Sequence, residues 1–231
     1  MNVGDKKDEI LEYINFAQND SSLEFEAIMK KNHYNPITKT DFSRIMSRLK
    51  SLKVPIKKTD VLDIIYEYKP GNQSNIRISV VGMNNIKKYF QTNDFSKIDP
   101  KYIKFIRKRR AKVSIDEPDS NVTEKILKPI DLMEYNLRIN VKSENSIAPT
   151  HENVRNALSN WRNKRKFFRM KQRYSFKLDN DFVYDLTILR TSKTIFLEES
   201  RRLKLVYTRT FQESEVAKND LEYEVELEYI G

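Results

Sequence analysis

The chain ends in DLEYEVELEYIG (residues 220–231), where Glu222, Glu224, Glu226 and Glu228 alternate with Leu221, Tyr223, Val225, Leu227 and Tyr229. A period of two is that of a β-strand, whose successive side chains point to opposite faces. One face is apolar, and the other carries carboxylates about 6.8 Å apart. Like charges so placed repel unless cations intervene. What the charged face meets must be sought in the rest of the chain.

A second acidic strand lies near the other terminus. LEFEA (23–27) sets Leu23, Phe25 and Ala27 against Glu24 and Glu26. Strands between these two carry the opposite sign. FRMKQRYSF (168–176) puts Arg169, Lys171 and Arg173 on one face and Phe168, Met170, Tyr174 and Phe176 on the other. In NIRISV (75–80), Arg77 and Ser79 oppose Ile76, Ile78 and Val80. In NLRINVKSE (136–144), Arg138, Asn140, Lys142 and Glu144 oppose Leu137, Ile139 and Val141, while FVYDLTIL (182–189) aligns Asp185 with Thr187.

A charged strand face taken singly is ordinarily solvated, but such faces mix signs and do not repeat ExE at both ends of a chain. In a closed antiparallel barrel the first and last strands become neighbours, which brings Glu24 and Glu26 beside Glu228. Three converging carboxylates would hold a hard cation, Mg2+ or Mn2+, through oxygen; without one, burying them would be prohibitive. The Arg and Lys strands would face them across a polar interior suited to a polyphosphate, since Arg binds phosphate bidentately. The apolar faces would then point outward, beneath helices.

The remaining pattern agrees with such a fold. Alternation predicts strands at 23–29, 60–68, 75–81, 110–115, 134–144, 167–177, 181–191, 202–210 and 221–230, with turns in KPGNQSN (69–75) and KLDNDF (177–182). Helical spacing predicts helices over 5–18, from Thr40 as N-cap through DFSRIMSRLKSL (41–52), and after Thr150 in HENVRNALSNWRNKR (151–165). SIDEPDSNVTEKILKP (114–129) reads as a polar loop. Trp161 and the tyrosines read as packing aromatics. The expectation is a mainly β, α+β domain: an antiparallel barrel or sandwich with its helices outside.

Composition narrows the chemistry. The 231 residues fit one domain, and 43 Lys and Arg against 33 Asp and Glu leave a net charge of +10, which favours a polyanionic partner. With no cysteine, thiolate metal sites and cysteine nucleophiles are excluded. His33 and His151 are the only histidines, and they are too far apart in sequence to suggest a zinc site. Only 4 glycines and no phosphate-loop fingerprint argue against a glycine-rich nucleotide site. No apolar run has signal-peptide or membrane-span length, so the expectation is a soluble, intracellular protein with no membrane partner.

These motifs resemble those of the triphosphate tunnel metalloenzymes, most closely the metal-dependent RNA 5′-triphosphatases of fungal and large-DNA-virus mRNA capping systems. LEFEA matches the family's ExE, RMKQR its RxKxR, YDLT its DxT and YEVELEY its ExExE, in the family's order. The resemblance implies a closed eight-stranded antiparallel tunnel that hydrolyses the γ-phosphate of triphosphate-ended RNA with Mg2+ or Mn2+. Glu24, Glu26 and Glu228 would ligate the metal, with Glu224 and Glu226 ordering the site. Arg169, Lys171 and Arg173 would bind phosphate, supported by Asp185 and Thr187. Arg77 and the Arg138–Glu144 strand match the remaining pattern, and Glu144 is the candidate base. Lys108 and Lys112 both qualify as the family's lysine, while Glu222 lies outside the motif.

The same resemblance implies that residues 1–231 are a single tunnel domain, the N-terminal part of a larger capping enzyme, with a guanylyltransferase domain in the same or a partner chain. A viral source would place it in the host cytoplasm, in the virus factory, and in the virion. Two other readings remain open: a tunnel-fold tripolyphosphatase or nucleoside triphosphatase, and a non-catalytic barrel that binds RNA through KYIKFIRKRRAK (101–112).

Overall fold

In a computed structural model, residues 3–29, 36–69, 72–116, 122–179, 181–198 and 202–230 are described, so His33 and parts of the 69–75, 177–182 and 114–129 turns lie outside them. The chain runs α1 (Val3–Asn19), β1 (Leu23–Met29), α2 (Lys39–Ser51), β2 (Ile56–Lys69), β3 (Asn72–Val81), α3 (Met83–Thr92), β4 (Ile103–Arg110), β5 (Lys112–Asp116), β6 (Val122–Ile126) and β7 (Ile130–Leu132). It continues with β8 (Leu137–Ser146), α4 (Glu152–Leu158), β9 (Lys166–Lys177), β10 (Phe182–Thr191), β11 (Thr194–Leu197), β12 (Arg202–Leu205) and β13 (Glu222–Tyr229).

Eight strands close on themselves in the order β1-β13-β10-β9-β2-β3-β4-β8, with β8 returning to β1 and every pairing antiparallel. The sandwich alternative is thereby excluded. β7 extends the sheet beside β8, and β5–β6 and β11–β12 are separate hairpins.

The barrel is polar inside and apolar outside. Its outer faces meet the helices in three clusters. Tyr13 and Ala17 of α1 cover Phe25, Ala27, Ile139 and Val141. Phe42 and Leu49 of α2 cover Phe176, Leu186 and Val225. Ile86 and Tyr89 of α3, with Val154 and Ala157 of α4, cover Leu62, Ile64, Ile78, Val80 and Phe168. Burial of these apolar faces supplies the main folding drive and leaves the alternate side chains to the lumen. Trp161 is one of the packing aromatics: it donates its indole N–H to Tyr89 Oη (3.1 Å) and lies against Tyr66 and Phe95.

Several expectations shift. The strand expected at 110–115 is two elements, of which β4 joins the barrel and β5 does not; runs of cations hid the alternation of Ile103, Phe105 and Arg107 with Lys104, Ile106 and Lys108. The strand expected at 202–210 shortens to β12, outside the barrel. Within the supposed loop 114–129, residues 114–116 and 122–126 are paired strand residues of β5 and β6. The second helix is capped by Thr38, in a reciprocal capping box with Asp41, rather than by Thr40, and His151 caps α4. The short α3 escaped the sequence reading; it starts behind Gly82, whose φ of 90° suits glycine. No helix among the described residues is long and apolar enough to cross a membrane.

Candidate active site

Cross-strand partners share a face, so the register fixes which side chains meet in the lumen. β1 sets Glu26 opposite Glu228 of β13, and β8 sets Asn140 opposite Glu26 and Lys142 opposite Glu24. Asp185 lies opposite Glu226, and Thr187 lies between Glu224 and Arg173. Across the ring, Asp63 lies between Arg169 and Ser79. Lys108 pairs with Glu144. All twelve residues expected from the sequence, Arg77, Glu144, Arg169, Lys171, Arg173, Asp185, Thr187, Glu224, Glu226, Glu24, Glu26 and Glu228, therefore stand on strands of one closed ring.

Ion pairs fill the lumen. Lys171 Nζ lies 2.6 Å from Asp63 Oδ2, and Ser79 Oγ donates to Asp63 Oδ1 at 2.6 Å. Arg77 Nη2 donates to Glu144 Oε1 (2.8 Å), with its Nε 3.9 Å from Asp63. Lys108 Nζ reaches Glu24 Oε2 at 2.6 Å and Glu144 Oε2 at 2.8 Å, the latter close but not aligned as a hydrogen bond. Lys142 pairs with Glu26. Arg169 Nη2 donates to Glu224 Oε1 (2.7 Å), and Arg173 Nη1 lies 2.8 Å from Asp185 Oδ2 and Nη2 3.7 Å from Glu226 Oε2.

The register separates Lys108 from Lys112: Lys108 is in the lumen, whereas Lys112 sits on β5 and pairs with Glu124. The sequence reading missed Asp63, a buried carboxylate among Leu62, Ile64 and Ile65, and gave no role to Lys142. The signal for Asp63 was available: it shares the parity of Val61 and Ile65, opposite the outward Leu62, Ile64 and Tyr66. Glu222 is exposed, and its carboxylate accepts from Thr191 Oγ1.

The electrostatics divide the ring. Burial, then Glu24 and Asp185, push the Glu228 carboxyl up to about 7. Burial and Glu224 raise Glu226 as well. At Asp63 burial acts upward, but Lys171, Arg77 and the hydrogen bonds outweigh it and hold the carboxyl well below the usual range. Burial likewise opposes ionisation of Glu144, yet Arg77 and Lys108 bring it below its ordinary value. Burial and Arg169 lower Lys171. Of Glu24, Glu26 and Glu228, the last is thus the carboxylate short of cations, since Glu24 and Glu26 have Lys108 and Lys142, while the Asp63–Glu144 side is saturated.

As the side chains stand, no three acidic groups among the described residues are gathered closely enough to grip a metal ion; Lys108 and Lys142 hold Glu24 and Glu26 instead. The donor chemistry nevertheless fits a hard divalent cation. The donors are all carboxylate oxygens from adjacent strands, and Glu228 carries a charge deficit that a cation would relieve. Asp185 Oδ1 and Thr187 Oγ1 are buried without a hydrogen-bond partner among the described residues, which leaves an acceptor and a donor for a ligand.

Solved structures share this fold over nearly the whole chain. One is the RNA triphosphatase domain of a trifunctional mimivirus mRNA capping enzyme, 21% identical, with 97% of this chain and 87% of that one covered and a TM-score of 0.62. Monoclinic and triclinic structures of the mimivirus capping enzyme triphosphatase are each 20% identical, cover 98% of this chain and 89% of their own, and have TM-scores of 0.63 and 0.64. At that identity the likeness establishes the fold, the closed eight-stranded tunnel. No protein-family model matches the chain, and no curated protein matches its sequence.

Proposed function

We propose that this chain is a divalent-metal-dependent RNA 5′-triphosphatase that converts triphosphate-ended RNA to diphosphate-ended RNA and inorganic phosphate. One observation carries the reading: a single closed ring carries the carboxylates Glu24, Glu26 and Glu228, the last of them short of cations, on the same lumen as Arg77, Lys108, Lys142, Arg169, Lys171 and Arg173. That arrangement suits a triphosphate with a metal on one side and guanidinium and ammonium groups on the other. The likeness to mimivirus capping triphosphatases supports it at the level of fold.

Phosphoryl transfer depends on positioning and charge stabilisation more than on covalent participation. Glu24, Glu26 and Glu228 would hold Mg2+ or Mn2+, which would neutralise phosphate charge and polarise the γ-phosphoryl oxygens. Arg169, Lys171 and Arg173 bind the phosphoryl oxygens after exchanging some of their carboxylate partners for the substrate. Asp63, Asp185, Glu224 and Glu226 keep those cations aimed at the lumen axis, and Thr187 donates its free hydroxyl. Glu144, kept ionised by Arg77 and Lys108, accepts a hydrogen bond from the attacking water and orients it in line with the β–γ bridging oxygen. The γ-phosphorus gains the water oxygen as the bridging bond breaks, the water's proton passes to Glu144, and the diphosphate end is left for a guanylyltransferase in the same or a partner chain.

Phosphate release from 5′-triphosphate RNA, with and without Mg2+ or Mn2+, tests the proposal. Glu24→Ala and Glu26→Ala should each lower release at saturating metal by about 100-fold or more, the scale on which loss of a charge-stabilising group acts. Release that survived both changes would end the metal-site mechanism. Equal turnover of tripolyphosphate and RNA ends would favour a small-molecule phosphatase.

A further inference from the structure

Inside the barrel Arg77, Lys108, Lys142, Arg169, Lys171 and Arg173 are each ion-paired, yet three lysines at one mouth are not, among the described residues. Lys57 of β2 shares a cross-strand row with Ser175, Asp185 and Glu226. Lys104 of β4 shares one with Ser79, Asp63 and Arg169. Lys177 of β9 shares one with Val183, Glu228 and Glu26. Each row contains lumen residues, so each lysine stands on the lumen face. All three are exposed and form no ion pair among the described residues. They belong to the same end of the barrel, because β2 begins where β9 ends and β4 begins where β3 ends.

The two ends differ in what lies behind the rim. Between these lysines and the charge ring, the lumen-facing positions hold mostly small or short side chains: Thr59 opposite Arg173, Ser175 opposite Asp185, Val81 opposite Val61 and Val183 opposite Glu228, with Ile106 opposite Arg77 on β4 the bulkier exception. Toward the other end the lumen-facing positions include Leu189, 1% exposed, and Phe167, 4% exposed and opposite Ile65. There Tyr207, itself 6% exposed, packs edge-on against Phe167 with centroids 6.3 Å apart. Its segment is tied to the start of β9 by two backbone hydrogen bonds between Lys166 and Thr208 (2.6 and 2.9 Å). One mouth thus carries three free lysines over mostly small side chains, whereas the other carries Arg110 as its unpaired lumen-face cation and is narrowed by aromatic and aliphatic bulk, among the described residues.

We propose that RNA enters through the Lys57–Lys104–Lys177 mouth, with these lysines holding the backbone phosphates of the first nucleotides behind the triphosphate. The proposal rests on the triphosphatase reading for the identity of the buried end. The spacing suits it: Lys177 is four positions beyond Arg173 on β9, about 14 Å along the strand, which places it over the nucleotides that follow a phosphate bound at Arg173. Free ammonium groups release counterions on meeting phosphates, which is how a sequence-independent strand contact gains affinity. The lysines lie on the arc from β9 through β2 and β3 to β4, of which β2 lies across the ring from β1.

Binding of a fluorescent 5′-triphosphate RNA 12-mer, measured against salt, tests the entry side. The triple variant Lys57→Gln, Lys104→Gln, Lys177→Gln should bind roughly tenfold more weakly near 0.1 M salt, and its log–log salt slope should flatten by about 2. Arg109→Gln with Arg110→Gln, at the opposite rim, should change affinity less than about twofold. An unchanged slope in the lysine variant, or a loss confined to the arginine variant, would overturn the proposal. Thermal melting checks that both variants are folded. Phosphate release by the unaltered protein separates the two readings. Lysine-dependent binding without release would remove the triphosphatase assignment and leave the RNA mouth standing, whereas release with an unchanged salt slope would remove the entry side alone.

Discussion

Replacing Asp63 by Asn should destabilise the barrel more than any other single change in the lumen. Asp63 is 3% exposed and Lys171 7%, their charged atoms are 2.6 Å apart, and Arg169 and Arg173 add like charge around Lys171. Asparagine keeps the shape and can still accept from Ser79, so the change isolates the charge. Breaking a buried pair by removing one partner typically costs about 3–5 kcal/mol, because the other charge is stranded. In a chain of this size that corresponds to a fall in Tm of about 6–20 °C. The double variant Asp63→Asn, Lys171→Met should recover most of the loss, since replacing both members of a buried pair is often near neutral. Urea titrations of the four members of this cycle give the coupling directly. Additive losses in the double variant would refute the view that Asp63 exists to hold Lys171. Acid titration of the unaltered protein adds a sign: a carboxyl lowered on folding stabilises above its unfolded pKa, and that stabilisation disappears as pH falls through the folded value.

Two further predictions concern the packing outside the barrel. Lys166 is fully buried, its ammonium donating to the carbonyls of Lys164 and Arg209, and burial brings its pKa down to about 8. Its folded value lies below its unfolded one, so the penalty for its charge is complete below pH 8 and is relieved as pH rises toward about 10.4; urea titrations across that window should show stability rising relative to Lys166→Met, and parallel curves would count against the assignment. Tyr89→Phe removes the acceptor for the buried Trp161 indole N–H and should cost about 1–3 kcal/mol, measurable through the emission of this single tryptophan; an unchanged urea midpoint would show that the N–H finds another partner.

The alternation of FRMKQRYSF, YEVELEY and LEFEA exposed the inversion of this barrel because strand geometry is local: parity assigns a side chain to a face without knowledge of the neighbouring strand. Parity assigned the apolar alternates to the outside equally well, and α1, α2 and α4 were visible from helical spacing. Where parity was obscured, the reading failed. In YIKFIRKRR cations occupy both faces, so β4 looked like a basic stretch, although Phe105 packs outward and Lys108 turns inward. Asp63 was overlooked as one charge among aliphatic residues. The β11–β12 hairpin and β5–β6 carry strand propensity yet do not enter the ring, a distinction that depends on long-range pairing.

By itself, then, the sequence determined which residues face a polar interior and which face helices, together with the chemical character of that interior: carboxylates from the two ends of the chain, Arg and Lys from its middle. Only the tertiary structure decided who meets whom. Closure of β1 on both β13 and β8 set Glu26 beside Glu228, chose Lys108 over Lys112, and gave Lys171 its partner in Asp63. The physical reason is that parity is a property of one strand, whereas register is fixed by the whole ring: a slip of one residue would turn every lumen charge into the apolar shell, and the helices outside oppose that slip.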